Sequence, residues 1–85
     1  MPKSVFTDAY ASFLEVLIAA RKRAGVTQIE LGERLGKPQT FISRFERGAR
    51  RLDVIEFYAI ARALKVEPVE LFADVVAELP ARVEM

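Results

Sequence analysis

The sequence predicts an all-α fold, a compact bundle of five helices. Three observations lead there. Five successive segments repeat apolar residues at three- and four-residue spacing, most of them between a capping signal and a Gly or Pro stop. No run alternates apolar and polar residues with period two, so no strand is expected. The 85 residues, 52% of them apolar, suffice for one small core and one domain. That domain is expected over 1–79, with an extended fifth helix, followed by a tail over 80–85.

Thr7 or Asp8 caps the first helix, and Tyr10, Phe13, Leu14, Leu17 and Ile18 follow on one stripe. Arg21, Lys22 and Arg23 fill its last turn, where cations suit the helix dipole, and Gly25 stops it. Thr27 and Glu30 form a capping box for the second helix. Ile29, Leu31 and Leu35 supply its apolar contacts, and Gly36 ends it. The third helix is expected from about Pro38 to Arg47, with Phe41, Ile42 and Phe45 as its apolar side, before Gly48. Asp53 and Glu56 start the fourth, lined by Val54, Phe57, Tyr58, Ile60, Ala61 and Leu64. Pro68 opens the fifth, where its missing N–H costs nothing. Leu71, Phe72, Val75, Val76 and Leu79 carry that stripe to Pro80, with Leu71 and Phe72 closing the core.

Composition narrows the chemistry. The chain has neither Cys nor His, hence no disulfide, no thiol nucleophile, and neither the commonest general base nor the commonest metal ligand. Glu30 and Glu33 lie one turn apart, but they read as a cap and a surface residue. No enzyme, metal or cofactor is expected. The start, Met1 to Phe6, lacks the pattern of a signal peptide, and no apolar run reaches the ~18–20 residues of a membrane span. A soluble, cytoplasmic protein with no membrane partner is expected.

Net charge is only +1, but it is unevenly spread. Over residues 21–51 nine cations face three acids, a net +6, whereas residues 52–85 carry −4. A basic middle beside an acidic end suits a nucleic-acid footprint on one face.

The segment from Val26 to Gly48 (VTQIELGERLGKPQTFISRFERG) has the spacing of a helix-turn-helix. Gly36 suits a left-handed turn, and Gly32 is a small residue where the third helix is expected to cross. With Ile42 and Phe45 inward, Gln39, Thr40, Ser43, Arg44 and Arg47 are left outward. Those are side chains of the kinds that read base edges: Gln pairs with adenine, Arg with guanine, and the Thr methyl meets thymine. The segment closely resembles the helix-turn-helix of the phage-repressor/Cro type, the XRE family. The likeness continues through Ile60–Val66 to Pro68–Phe72 and covers roughly residues 10–74.

The resemblance implies a repressor-like DNA-binding domain whose third helix enters the major groove. It implies base reading by Gln39, Thr40 and Arg44, to which Ser43 is added from its outward position, and a phosphate contact at Gln28, at the amino end of helix two. Arg50 and Arg51 look like backbone clamps, and Lys37 and Arg47 join them as phosphate contacts. Arg21 and Glu46 match a structural ion pair of many relatives. Pro38 stands where many relatives have Ser or Thr, so a hydroxyl cap is missing and the start of helix three is open to a shift. Val75, Val76 and Leu79 are expected to form a two-fold homodimer contact, placing two third helices on a palindromic operator. The bound dimer would then block or recruit RNA polymerase or another protein partner. The competing reading is a protein-interaction adaptor or antitoxin-like protein on the same fold.

Overall fold

The computed structural model describes residues 7–83. Its elements are α1 (Asp8–Arg23), α2 (Gln28–Leu35), α3 (Gln39–Glu46), α4 (Val54–Ala63) and α5 (Pro68–Glu78), with no strand among the described residues. Met1 to Phe6 and the last two residues of the expected tail lie outside the described residues.

Local signals set the helix starts. The Thr7 hydroxyl accepts from the Tyr10 amide at 3.1 Å. Thr27 and Glu30 satisfy one another's amides at 2.9 and 3.0 Å, and Asp53 and Glu56 do the same at 2.9 and 2.7 Å. These bonds favour the ionised carboxylates. The Thr27 amide and hydroxyl hold Glu30 below the usual carboxylate range, and Arg50, followed by the Asp53 amide, does so for Glu56. Pro38 is the N-cap residue of α3 and offers no side-chain cap, so that helix opens at Gln39.

The core comes from one face of each helix. Leu14, Leu17, Leu31, Ile42, Phe45, Ile60, Leu71 and Val75 are its largest fully buried side chains. α1 packs on α3 and α5, α2 on α3 and α4, and α4 on α5. The Tyr10 hydroxyl accepts from the Leu52 amide at 3.0 Å, tying α1 to the segment before α4. Arg34 donates to the Ala63 carbonyl at 2.7 Å and satisfies an acceptor at the end of α4.

Two glycines shape the α2–α3 turn. Gly36 has φ 68°, which a side chain would strain. Gly32 lies against the turn itself instead of a helix-three crossing: a Cβ there would stand 2.6 Å from the Lys37 carbonyl oxygen. That neighbour is backbone and cannot swing aside. Gly32→Ala is therefore expected to destabilise the domain by ~1–3 kcal/mol, in spite of alanine's better helix propensity. A urea titration checks it, and an unchanged or raised midpoint would show that the turn yields freely.

Several expected core positions point outward. Ile29 is 61% exposed, Val54 74% and Phe72 50%, and Tyr58 is exposed as well. Phe72 meets Phe57 edge-on, at 5.9 Å between ring centroids. The reason is angular. Leu71 and Val75, four residues apart, face α1 and the core, so Phe72 and Val76 face away from it. Val75 is thus buried in its own chain and has no surface to offer a partner, and Leu79 packs partly against the core. Of the three expected interface residues, Val76 alone is an exposed large apolar side chain, 53% accessible.

Candidate nucleic-acid interface

α3 is eight residues long and is held by two anchors, Ile42 and Phe45, both essentially inaccessible. A helix this short has little stability of its own. Its geometry is imposed by the pocket that receives those two side chains. Gln39, Thr40, Arg44 and Arg47 are consequently exposed, and Ser43 is half-exposed.

The exposed residues differ in their freedom. Thr40 and Arg44 have no side-chain hydrogen bond or ion pair among the described residues. Arg47 donates to the Ser43 hydroxyl at 2.7 Å, one turn back along the helix. Gln39 donates through Nε2 to Oε1 of Gln28 at 2.6 Å. Gln28 in turn donates through Nε2 to Glu46 Oε1 at 2.8 Å.

Beneath these lies the one buried charged residue among those described, Arg21. Its Nε and Nη2 donate to the two Glu46 oxygens at 2.7 and 3.1 Å, and its Nη1 donates to the Val26 carbonyl at 2.9 Å. Both side chains are nearly inaccessible, at 11% and 7%. Arg21 therefore joins α1, the start of α2 and the end of α3, and is unavailable to an external anion.

The expected phosphate contacts divide in the same way. Lys37 and Arg51 are exposed; the Lys37 ammonium lies 5.4 Å from the Phe41 ring centroid, and the Arg51 guanidinium 4.3 Å from that of Tyr10. Arg50 instead donates to both Glu56 oxygens at 2.9 and 2.7 Å and lies 4.8 Å from the Phe41 ring. As placed, it braces the loop before α4 against α3 and does not stand free as a clamp. Sequence reasoning missed this pairing because it had assigned Glu56 wholly to its capping box. Spacing gave no sign of the Gln28–Gln39 contact either.

Two short helices around a left-handed glycine, the second displaying a polar face above a buried anchor pair, define a helix-turn-helix protein. A helix-turn-helix family model matches residues 17–71. An uncharacterised HTH-type transcriptional regulator of Sinorhizobium fredii, y4dJ, is 45% identical over 51 residues, covering 60% of this chain and 66% of that protein. The XRE-family like protein of Pseudomonas syringae pv. tomato is 44% identical and superposes with a TM-score of 0.78, over 85% of this chain and 88% of that one. The clp gene regulator ClgR of C. glutamicum shares the fold at 18% identity, with a TM-score of 0.76 over 89% of this chain and 99% of that one. The chain belongs to the XRE family of helix-turn-helix proteins. No helix among the described residues is long and apolar enough to cross a membrane.

Proposed function

We propose that this protein is a sequence-specific double-stranded-DNA-binding transcription regulator that lays α3 in the major groove. The observation that carries the reading is the outward row Gln39, Thr40, Ser43, Arg44 and Arg47 on a helix pinned from behind by Ile42 and Phe45. The names borne by its relatives support it. Gln39, Thr40, Ser43 and Arg44 face bases, while Gln28, Lys37, Arg47 and Arg51 face phosphates. Arg50 joins them only by leaving Glu56. Regulation is by occupancy, with the bound protein blocking or recruiting polymerase.

Arg44 is the freest cation of the row and is expected to read guanine. Arg44→Ala should cost ~1–3 kcal/mol on the preferred duplex and relax base choice at one position. Lys37→Ala should instead weaken all duplexes alike and lower the salt slope by about one. Selection of sites from a random pool, followed by titration at several salt concentrations, measures both. Equal loss on random and selected DNA would remove Arg44 from the base-reading set.

The working form is a homodimer on a palindromic operator. Its contact lies on the outer faces of α4 and α5, where Val54, Tyr58, Pro68, Val69 and Phe72 line an apolar groove of about 310 Å³, with Val76 further along α5. Exposed apolar patches rimmed by polar residues mark interaction sites, and a second copy would cover this one symmetrically. Val69→Glu is expected to convert a dimer at tens of micromolar into a monomer in sedimentation. A wild-type protein that sediments as a monomer, with and without its operator, would reject the dimer.

A further inference from the structure

We propose that Glu56 is a built-in competitor of DNA phosphate for Arg50, and so holds down the sequence-independent part of duplex binding. The inference rests on the reading of α3 as the DNA-facing helix. Arg50 follows closely after α3, and its guanidinium lies 4.8 Å from the ring centroid of Phe41, on that helix. The Lys37 ammonium approaches the same ring at 5.4 Å. Two cations thus meet at one aromatic side chain beside the reading row, where a backbone phosphate would need them. A carboxylate is already there. Glu56, in the first turn of α4, accepts from Arg50 Nη1 and Nη2 at 2.9 and 2.7 Å. A guanidinium takes a carboxylate or a phosphate through the same fork, so the two anions contend for one place.

The fold equips Glu56 for this contest. Its Oε1 also accepts from the Asp53 amide at 2.9 Å, so the capping box fixes the carboxylate independently of Arg50. The pair is nevertheless open to an incoming anion, with side chains 38% and 27% accessible. The Arg62–Glu67 pair offers no parallel: its partners are 3.7 Å apart, and no side-chain cap holds Glu67. While Arg50 stays on Glu56 the two charges cancel, and the pair adds little to the counterion release that drives non-specific binding. Phosphate contacts carry no base information. Glu56 therefore sets the general attraction for duplexes and leaves base choice alone.

The test uses Glu56→Gln, which removes the charge but keeps an acceptor that suits a capping box. Binding of the full chain to a random-sequence duplex and to a selected duplex is followed by fluorescence anisotropy at several salt concentrations. Glu56→Gln is expected to bind both about fivefold tighter near 0.1 M salt, with a salt slope steeper by about one and an unchanged ratio between the duplexes. Arg50→Ala should weaken the parent no more than about twofold, yet erase the whole gain in the Glu56→Gln background. Glu70→Gln, which removes an exposed charge from α5, should produce no such gain. In the unaltered protein, free of DNA, rotation of the Arg50 guanidinium should be slow by NMR. An unchanged slope in Glu56→Gln, a gain that survives Arg50→Ala, or fast rotation in the parent would overturn the proposal. If Lys37→Ala still lowers the slope in that case, the reading of α3 stands without it. Failure of every form to bind any duplex at low salt would overturn that reading, and the competition with it.

Discussion

Arg21→Ala is expected to destabilise the domain by ~3–5 kcal/mol, the loss typical of a buried ion pair deprived of one partner. The variant keeps Glu46, whose side chain is only 7% accessible, as a charge with one remaining donor, Gln28. It also strips the Val26 carbonyl of the guanidinium bond. Small domains have only ~5–15 kcal/mol in hand, so a large share of the folded population is at stake. An exposed pair would lose no more than ~1 kcal/mol. Urea denaturation separates the two cases, and a loss inside the exposed range would show that water screens the pair. The double variant Arg21→Ala with Glu46→Ala should recover part of the loss, because no charge is then stranded. Arg21 stands in the most basic part of the chain, yet its removal should leave the salt slope of DNA binding unchanged in the fraction that stays folded.

The division between what the sequence disclosed and what it withheld follows the range of the interaction. Thr27–Glu30 and Asp53–Glu56 act within a few residues and cap at the positions read from spacing, and of the two residues offered for the first cap Thr7 takes it. Pro38 removed a hydroxyl, and α3 accordingly opens uncapped at Gln39. The polar row of α3 was legible because Ile42 and Phe45 settle which face is inward. The fifth helix was harder. Its apolar residues are so dense that two stripes exist, Leu71–Val75 and Phe72–Val76, and only the position of α1 decides which is core. Arg50 failed differently, since a cation just past α3 suits a phosphate and a carboxylate equally well. Glu56 lay within reach only once the loop had folded. Gly32 was recognised as a place for a small residue, but the neighbour that demands it is the Lys37 carbonyl in the turn.

Phe45→Ala is expected to cost ~3–5 kcal/mol, the range for truncating a buried aromatic side chain. Phe45 is 1% exposed and also meets Phe41 edge-on, with centroids 5.8 Å apart. The consequence for α3 exceeds the loss of packing. Of its eight residues only Ile42 and Phe45 are fully buried, with Phe41 packed partly against the core and Glu46 tied to Arg21, so Phe45→Ala removes one of the two full anchors of the helix. Arg44, the adjacent residue, is exposed and carries no load in the fold. Neighbours in the chain should therefore give opposite results. Arg44→Ala should stay within ~0.5 kcal/mol of the parent in urea and lose base discrimination. Phe45→Ala should lower the urea midpoint sharply and weaken every duplex together, because the whole reading row loses its support. Excess operator DNA should raise the melting temperature of Phe45→Ala, since ligand binds only the folded form and pulls it back. A Phe45→Ala protein as stable as the parent would mean that the α3 row does not depend on the core beneath it, and the physical basis for a rigid reading helix would be gone.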